Sequence, residues 1–240
     1  MGRHEEYVMQ ARQTRFMLSG SRFFAGVAAA VLLIAGCSSQ HTRSLAMVRA
    51  DGNAAFARGN YELAAADYEE YLERKPGAID VRYRLGQTLM ALGRPGEAEP
   101  HFRAVYDVNP LSIEYARAVA ESMVASGRTG EGLAFMRRYL EAHPNADGYF
   151  ALAELAQSAG IPDDAERALR VAARLDGGDS PEPHRRLARF YQAIGDDAAA
   201  VQRWRVVLFF DETDAEAHRA LRALGQVPGP AFALSPSEVD

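Results

Sequence analysis

Five glycines, Gly59, Gly93, Gly127, Gly160 and Gly195, punctuate the chain at intervals of 34, 34, 33 and 35 residues. Three prolines, Pro76, Pro110 and Pro144, fall between them, again 34 apart. Each interval holds two amphipathic segments of helical length. The glycine lies at the break between the two segments, and the proline lies where a helix must stop. A fixed period of this length marks a repeat array, because one helix pair cannot bury its apolar face alone and stacked neighbours can. The spacing predicts an all-α chain of repeated helix-turn-helix units.

The packing residues recur with the same period. The first helix of the second unit carries Leu85-Gly86 and then Leu89; the third unit has Val119-Ala120 and Met123, and the fifth Leu187-Ala188 and Tyr191. Spacings of three and four put these on one face, and the small residue lets the second helix come close. That second helix answers with Ala64, Ala98, Ala165 and Ala200, followed by Tyr68, Phe102, Leu169 and Trp204 as bulky fillers. In the stretch Ile79 to Pro110, residues Leu85, Gly86, Leu89, Ala98, Phe102 and Pro110 stand where a tetratricopeptide (TPR) repeat places its packing residues. The chain resembles a TPR array over roughly residues 45–212. The resemblance implies a TPR α-solenoid of about five repeats, near 45–78, 79–112, 113–145, 146–180 and 181–213. A capping helix over 214–224 closes the last apolar face, so the domain runs over 45–225. Residues 226–240, with Pro228-Gly-Pro230 and Ser235-Pro-Ser237, show no periodicity and read as a disordered tail.

Some units depart from the pattern. Asp51 stands where a large apolar residue is usual, as an exposed first helix tolerates. Gly132 replaces the alanine of the third unit's second helix, which is expected to weaken that helix by about 1 kcal/mol. The fourth unit is one residue short and exits through Asp176-Gly-Gly-Asp179, so the least regular stacking is expected over 144–181.

The amino terminus reads as an address. Residues Phe23 to Gly36 form an apolar run of 14 residues behind Arg22, shorter than the ~20 a membrane span takes and right for a secretory signal. Leu33-Ile34-Ala35-Gly36-Cys37 resembles a bacterial lipobox, and Cys37 is the only cysteine. The resemblance implies a signal peptide over 1–37, cleavage before Cys37, and lipidation (palmitate among the acyl chains) of Cys37. Glu5 and Glu6 do not suit a signal's basic start, and Met17 offers an alternative first residue. Ser38 follows the cysteine; an aspartate there would favour inner-membrane retention, so its absence implies the Gram-negative outer membrane, facing the periplasm. More than one acyl chain makes such anchoring stable. Residues 38–44 form a polar tether reaching at most roughly 23 Å, which keeps the first repeat near the lipid surface.

Composition excludes more than it assigns. Losing residues 1–37 removes four arginines and two glutamates from a formal charge of −5, leaving −7. Nucleic-acid binding needs clustered cations, so that partner is not expected. No phosphate loop or GxSxG elbow is present, and Cys37 alone can build neither a disulfide nor a cysteine metal site. The histidines are scattered, and His184 with His218 falls at one repeat position, where packing explains both. The pairs Asp163-Asp164 and Asp196-Asp197 each begin a second helix, where capping is the expected task. No cofactor, no metal and no enzymatic activity are expected.

A TPR array offers a groove lined by its first helices. By repeat position the lining is Arg49, Asn53 and Phe56; Tyr83, Gln87 and Met90; Arg117 and Glu121; Phe150 and Glu154; and Arg185, Arg189 and Gln192. Arginine and aromatic residues are the types that anchor protein interfaces. Arg49 and Asn53 match the first pair of a known TPR clamp for C-terminal carboxylates, whereas Arg84, Glu114 and Ala118 do not match the rest. The basic run His184 to Arg189 could meet an acidic segment. The layout resembles the TPR lipoproteins of pilus and secretion-system assembly, of the Tad/Flp or type IV pilotin kind. It implies a membrane-anchored scaffold that binds a segment of a cell-envelope protein. An outer-membrane protein assembly subunit and an adaptor for peptidoglycan enzymes are the alternatives.

Overall fold

A computed structural model describes residues 43–229 and 232–239. The expected signal peptide over 1–37, with Cys37, and the start of the expected tether lie outside the described residues. Arg43, near the end of that tether, is held by Asp67 at 2.7 Å and by Asp51 at 3.2 Å, which gives Asp51 its role on an exposed face.

The described residues are all-helical, with eleven α-helices and one short 3-10 turn. They form five antiparallel pairs and a single last helix. The pairs are α1 (Leu45–Ala57) with α2 (Tyr61–Arg74), α3 (Ile79–Ala91) with α4 (Pro95–Val108), and α5 (Ile113–Ala125) with α6 (Thr129–Ala142). They continue as α7 (Ala146–Ser158) with α8 (Pro162–Asp176), α9 (Glu182–Ile194) with α10 (Asp197–Phe210), and then α11 (Ala215–Ala223). Every pair turns at its periodic glycine, all five with φ between 70° and 81°. At Gly93 the reversal closes with the amide of Arg94 donating to the carbonyl of Leu89 at 2.9 Å. That left-handed corner is open to glycine without steric cost.

The core divides into two clusters that meet at α5. One gathers Val48, Tyr68, Leu85, Leu89, Phe102 and Met123; the other gathers Leu133, Met136, Leu140, Leu169, Leu187 and Trp204. α5 feeds both, with Val119 and Met123 in the first and Ala116 and Ala120 in the second. Gly86 is where the second pair closes: a Cβ there would stand 2.6 Å from Cε1 of Phe102.

Gly132 has a packing reason beside its weak helix propensity. A Cβ there would lie 2.7 Å from the carbonyl oxygen of Ala120 and 2.8 Å from Cγ2 of Val124. The residue is therefore a contact point between α6 and the backbone of α5, and its weak helix propensity accompanies that contact.

Irregularity near the fourth unit lies at both of its junctions. α7 and α8 pack closely on each other, whereas α6 against α7 and α8 against α9 lie less closely than α2 against α3 or α4 against α5. The exit loop has Gly177 and Gly178 both at positive φ, and Asp176 accepts from the Ser180 amide at 2.9 Å and hydroxyl at 2.7 Å. Capping also differs between the two aspartate pairs. Asp196 accepts from the Ala199 amide at 3.0 Å. α8 instead starts behind Ile161 with no side-chain cap, and Asp164 turns to Arg167 at 2.8 Å.

The tail departs from the expected disorder. Residues 232–239 fold back on α10 as a strap: Arg205 Nε donates to the Phe232 carbonyl at 2.7 Å, and the Leu234 amide donates to the Arg205 carbonyl at 3.2 Å. The Arg205 guanidinium lies 4.9 Å from the Phe232 ring centre, and Arg203 donates to the Val239 carbonyl at 2.9 Å. Periodicity could not reveal this, because the strap is held by carbonyls and one ring and has no helical face.

Candidate protein-binding groove

The first helices of the pairs, α1, α3, α5, α7 and α9, stand side by side and are bridged laterally by side chains. Arg49 of α1 reaches Asp80 of α3 at 2.7 Å. Tyr83 of α3 lies 5.2 Å, ring to ring, from Tyr115 of α5 and 5.5 Å from Phe102. Burial and a hydrogen bond with Glu114 push the Tyr83 hydroxyl well above the ordinary phenol range. Arg117 of α5 pairs with Glu121 at 2.6 Å and with Glu154 of α7 at 3.0 Å. Arg186 of α9 reaches the other oxygen of Glu154 at 2.8 Å and pairs with Glu182 at 2.7 Å. Arg189 then meets Glu216 of α11 with two contacts of 2.7 Å.

These pairs hold their charges firmly. Hydrogen bonding to Glu121 raises the Arg117 guanidinium, and the bond to Arg189 lowers the Glu216 carboxyl below its usual range. At Arg186 desolvation works toward a lower value, and the hydrogen bonds to Glu182 and Glu154 outweigh it.

Three depressions run along this face and share residues. The first, about 570 Å³, is lined by Met90, Arg117, Glu121, Val124, Ala125, Glu154, Leu155 and Ser158. The second, about 330 Å³, shares Glu154 and adds Phe150, Gln157, Arg186, Arg189 and Phe190. The third, about 240 Å³, shares Gln157 and Phe190 and adds Ile161, Ala193 and Ile194. Together they form one trough from the end of α3 to the end of α9.

The lining read from repeat positions is placed unevenly. Met90, Arg117, Glu121, Glu154 and Arg189 line the trough. Arg49 and Asn53 lie on the same face toward α1; Asn53 Oδ1 accepts from the Tyr68 hydroxyl at 2.9 Å. Phe56 and Gln87 are half-buried beside Arg84, whose guanidinium lies 5.8 Å from the Phe56 ring centre and 3.4 Å from Gln87 Oε1.

Three residues correct the expectation. Phe150 lines the trough as its position implies, but as a buried wall and not an exposed side chain, with Arg186 stacked 4.4 Å from its ring centre. Gln192 accepts from the buried Trp204 indole at 2.9 Å, so its polar end serves the core. Arg185 is directed at Asp214, at 2.6 Å, and ties α9 to the start of α11. The basic run is likewise spent internally. His184 is buried, and Arg185, Arg186 and Arg189 each face carboxylates. Sequence reasoning missed Val124, Leu155, Gln157, Phe190 and Ile194 as lining. The only available signal was their place at the C-terminal ends of the first helices, next to the periodic glycines.

No group of three or more His, Cys, Asp and Glu residues among the described residues is placed to hold a metal ion. The two residues that match the carboxylate clamp have partners in the fold: Arg49 pairs with Asp80 and Asn53 accepts from the Tyr68 hydroxyl.

A tetratricopeptide repeat profile matches residues 55–122. Over those residues the chain carries TPR repeats, and the paired helices of the described residues continue the same all-α, TPR-like solenoid. No curated protein sequence matches the chain. Similar solved structures include the MamA protein, at 18% identity and TM-score 0.51, covering 78% of this chain and 98% of that one. A tetratricopeptide repeat protein from Parabacteroides merdae matches at 12% identity and TM-score 0.54, covering 75% and 72%. PilW, described as a widely conserved type IV pilus biogenesis factor, matches at 17% identity and TM-score 0.53, covering 74% and 83%. At these identities the likeness is one of fold.

Proposed function

We propose that this protein is a lipid-anchored scaffold that binds a segment of a cell-envelope protein along its first-helix face, in assembly of a pilus or secretion system. The observation that carries the binding role is the trough spanning α3 to α9, in which partly exposed side chains such as Met90, Arg117 and Ile194 stand over the buried Phe150, Leu155 and Phe190. The anchoring role rests on the lipobox ending at Cys37 and on the short tether after it. Lipidation at Cys37 would place the solenoid at the outer membrane, on the periplasmic side. The pilus or secretion assignment rests on this layout of an anchor followed directly by a TPR-like solenoid, and it is in keeping with the likeness of fold to PilW, a type IV pilus biogenesis factor.

Photo-crosslinking in cells tests the binding role, with the probe placed at Arg117 and separately at Gln157, followed by mass spectrometry. One envelope protein captured at both positions supports the groove and names the pathway. A pilus or secretion component supports the assignment, and an amidase, transpeptidase or barrel-assembly protein replaces it. No specific adduct at either position overturns the groove.

A further inference from the structure

The trough is chemically divided. At its middle, Glu121, Arg117, Glu154, Arg186 and Glu182 alternate in sign across α5, α7 and α9, with neighbouring contacts of 2.6 to 3.0 Å. The bar continues into further pairs, since Glu182 also meets Arg185 at 3.4 Å and Arg189, in the same trough, meets Glu216 at 2.7 Å, so each of its charges already has a partner. An incoming charged side chain of either sign would have to break an existing pair to find a partner. On either side of the bar the lining turns apolar. Met90 and Val124 over the buried Leu155 form the socket nearer α3, and Ile161 and Ile194 over the buried Phe190 form the one at the end of α9. Ile194 keeps 49% of its surface exposed, an apolar area that binding could remove from water.

Resting on the groove assignment above, we propose that the partner segment carries two large apolar side chains flanking an uncharged residue. The apolar side chains fill the two sockets, and the central residue crosses the charged bar. Affinity then comes from apolar burial, and the bar acts by rejecting charged segments. The structure thus argues against an acidic tail as the ligand, although the sequence of α9 reads as a basic surface.

A displayed library of random peptides, selected against the full chain in detergent micelles, tests this. The expected winners share two large apolar residues with no charged residue between them. Their affinity should change less than about twofold between roughly 0.05 and 0.5 M salt, because screening acts on charge pairs and not on apolar burial. Ala125 and Ala193 are exposed and each lines one socket. Ala125→Glu and Ala193→Glu should each weaken the winning peptides about tenfold or more while leaving thermal unfolding unchanged. Winners rich in charged residues with salt-sensitive affinity would overturn the proposal, as would failure to enrich any peptide. Peptides weakened by Arg117→Glu but indifferent to both alanine variants would sink the sockets and leave the groove standing. Peptides indifferent to all three variants would remove the groove as well.

Discussion

Gly130 and Gly132 sit two residues apart in α6, and replacing each with alanine separates helix propensity from packing. Alanine is favoured over glycine inside a helix by about 0.5–1 kcal/mol. At Gly130 a Cβ would find nothing within 4 Å, so the gain is kept, at the low end of that range because the residue lies in the first turn. At Gly132 the same Cβ would meet the Ala120 carbonyl at 2.7 Å. That oxygen belongs to the backbone of α5 and cannot rotate away, so α5 and α6 must move apart. Overpacking of this kind costs about 1–3 kcal/mol. The net expectation for Gly132→Ala is a loss of about 0.5–2 kcal/mol. In a domain of this size, that lowers Tm by ~2–6 °C. Gly130→Ala should raise Tm by about 1–2 °C on the same scale. Thermal unfolding followed by circular dichroism, with urea unfolding as a second measure, reads both. If Gly132→Ala proves as stable as Gly130→Ala, α5 and α6 are not in backbone contact there, and the reason given for the glycine is wrong.

Other expectations follow from the strap, a histidine and the lipobox. A stop codon after Val227 removes residues 228–240 and with them three hydrogen bonds and the Arg205–Phe232 stacking, which should cost about 2–4 kcal/mol and speed amide exchange in α10; unchanged stability would make the strap a passive tail. His101 is held below the ordinary histidine range by burial and then by Arg82. The unfolded chain therefore takes up a proton first as pH falls, so stability is full above about pH 6.5 and declines below it until the folded value is passed. His101→Gln should flatten the fall in Tm between about pH 7.5 and 5.5, and an identical fall in the variant would assign it elsewhere. Cys37→Ser should abolish labelling by a fatty-acid analogue and leave an uncleaved precursor; normal processing would refute the lipid anchor.

What the amino-acid sequence determined by itself is everything that repeats. A period near 34, a glycine at each reversal and a small residue opposite a large one are local requirements of helix pairing, so they are written in every unit. The all-α solenoid, its turns and its closing helix were legible for that reason. Side-chain directions at the groove were legible only in part. Repeat position brought Met90, Arg117, Glu121, Glu154 and Arg189 to the trough. Position alone could not foresee that Arg186 would cover Phe150 or that Trp204 would claim Gln192, because both depend on neighbours 12 to 36 residues away in the chain. Tertiary structure alone decided that the arginines of α9 spend their charge on carboxylates of α7, α9 and α11, turning an apparent basic patch into a neutralised wall. It also decided that Gly132 is a contact and that the tail is a strap. A charge or a glycine has its meaning fixed by what approaches it in space, and periodicity along the chain carries no record of that.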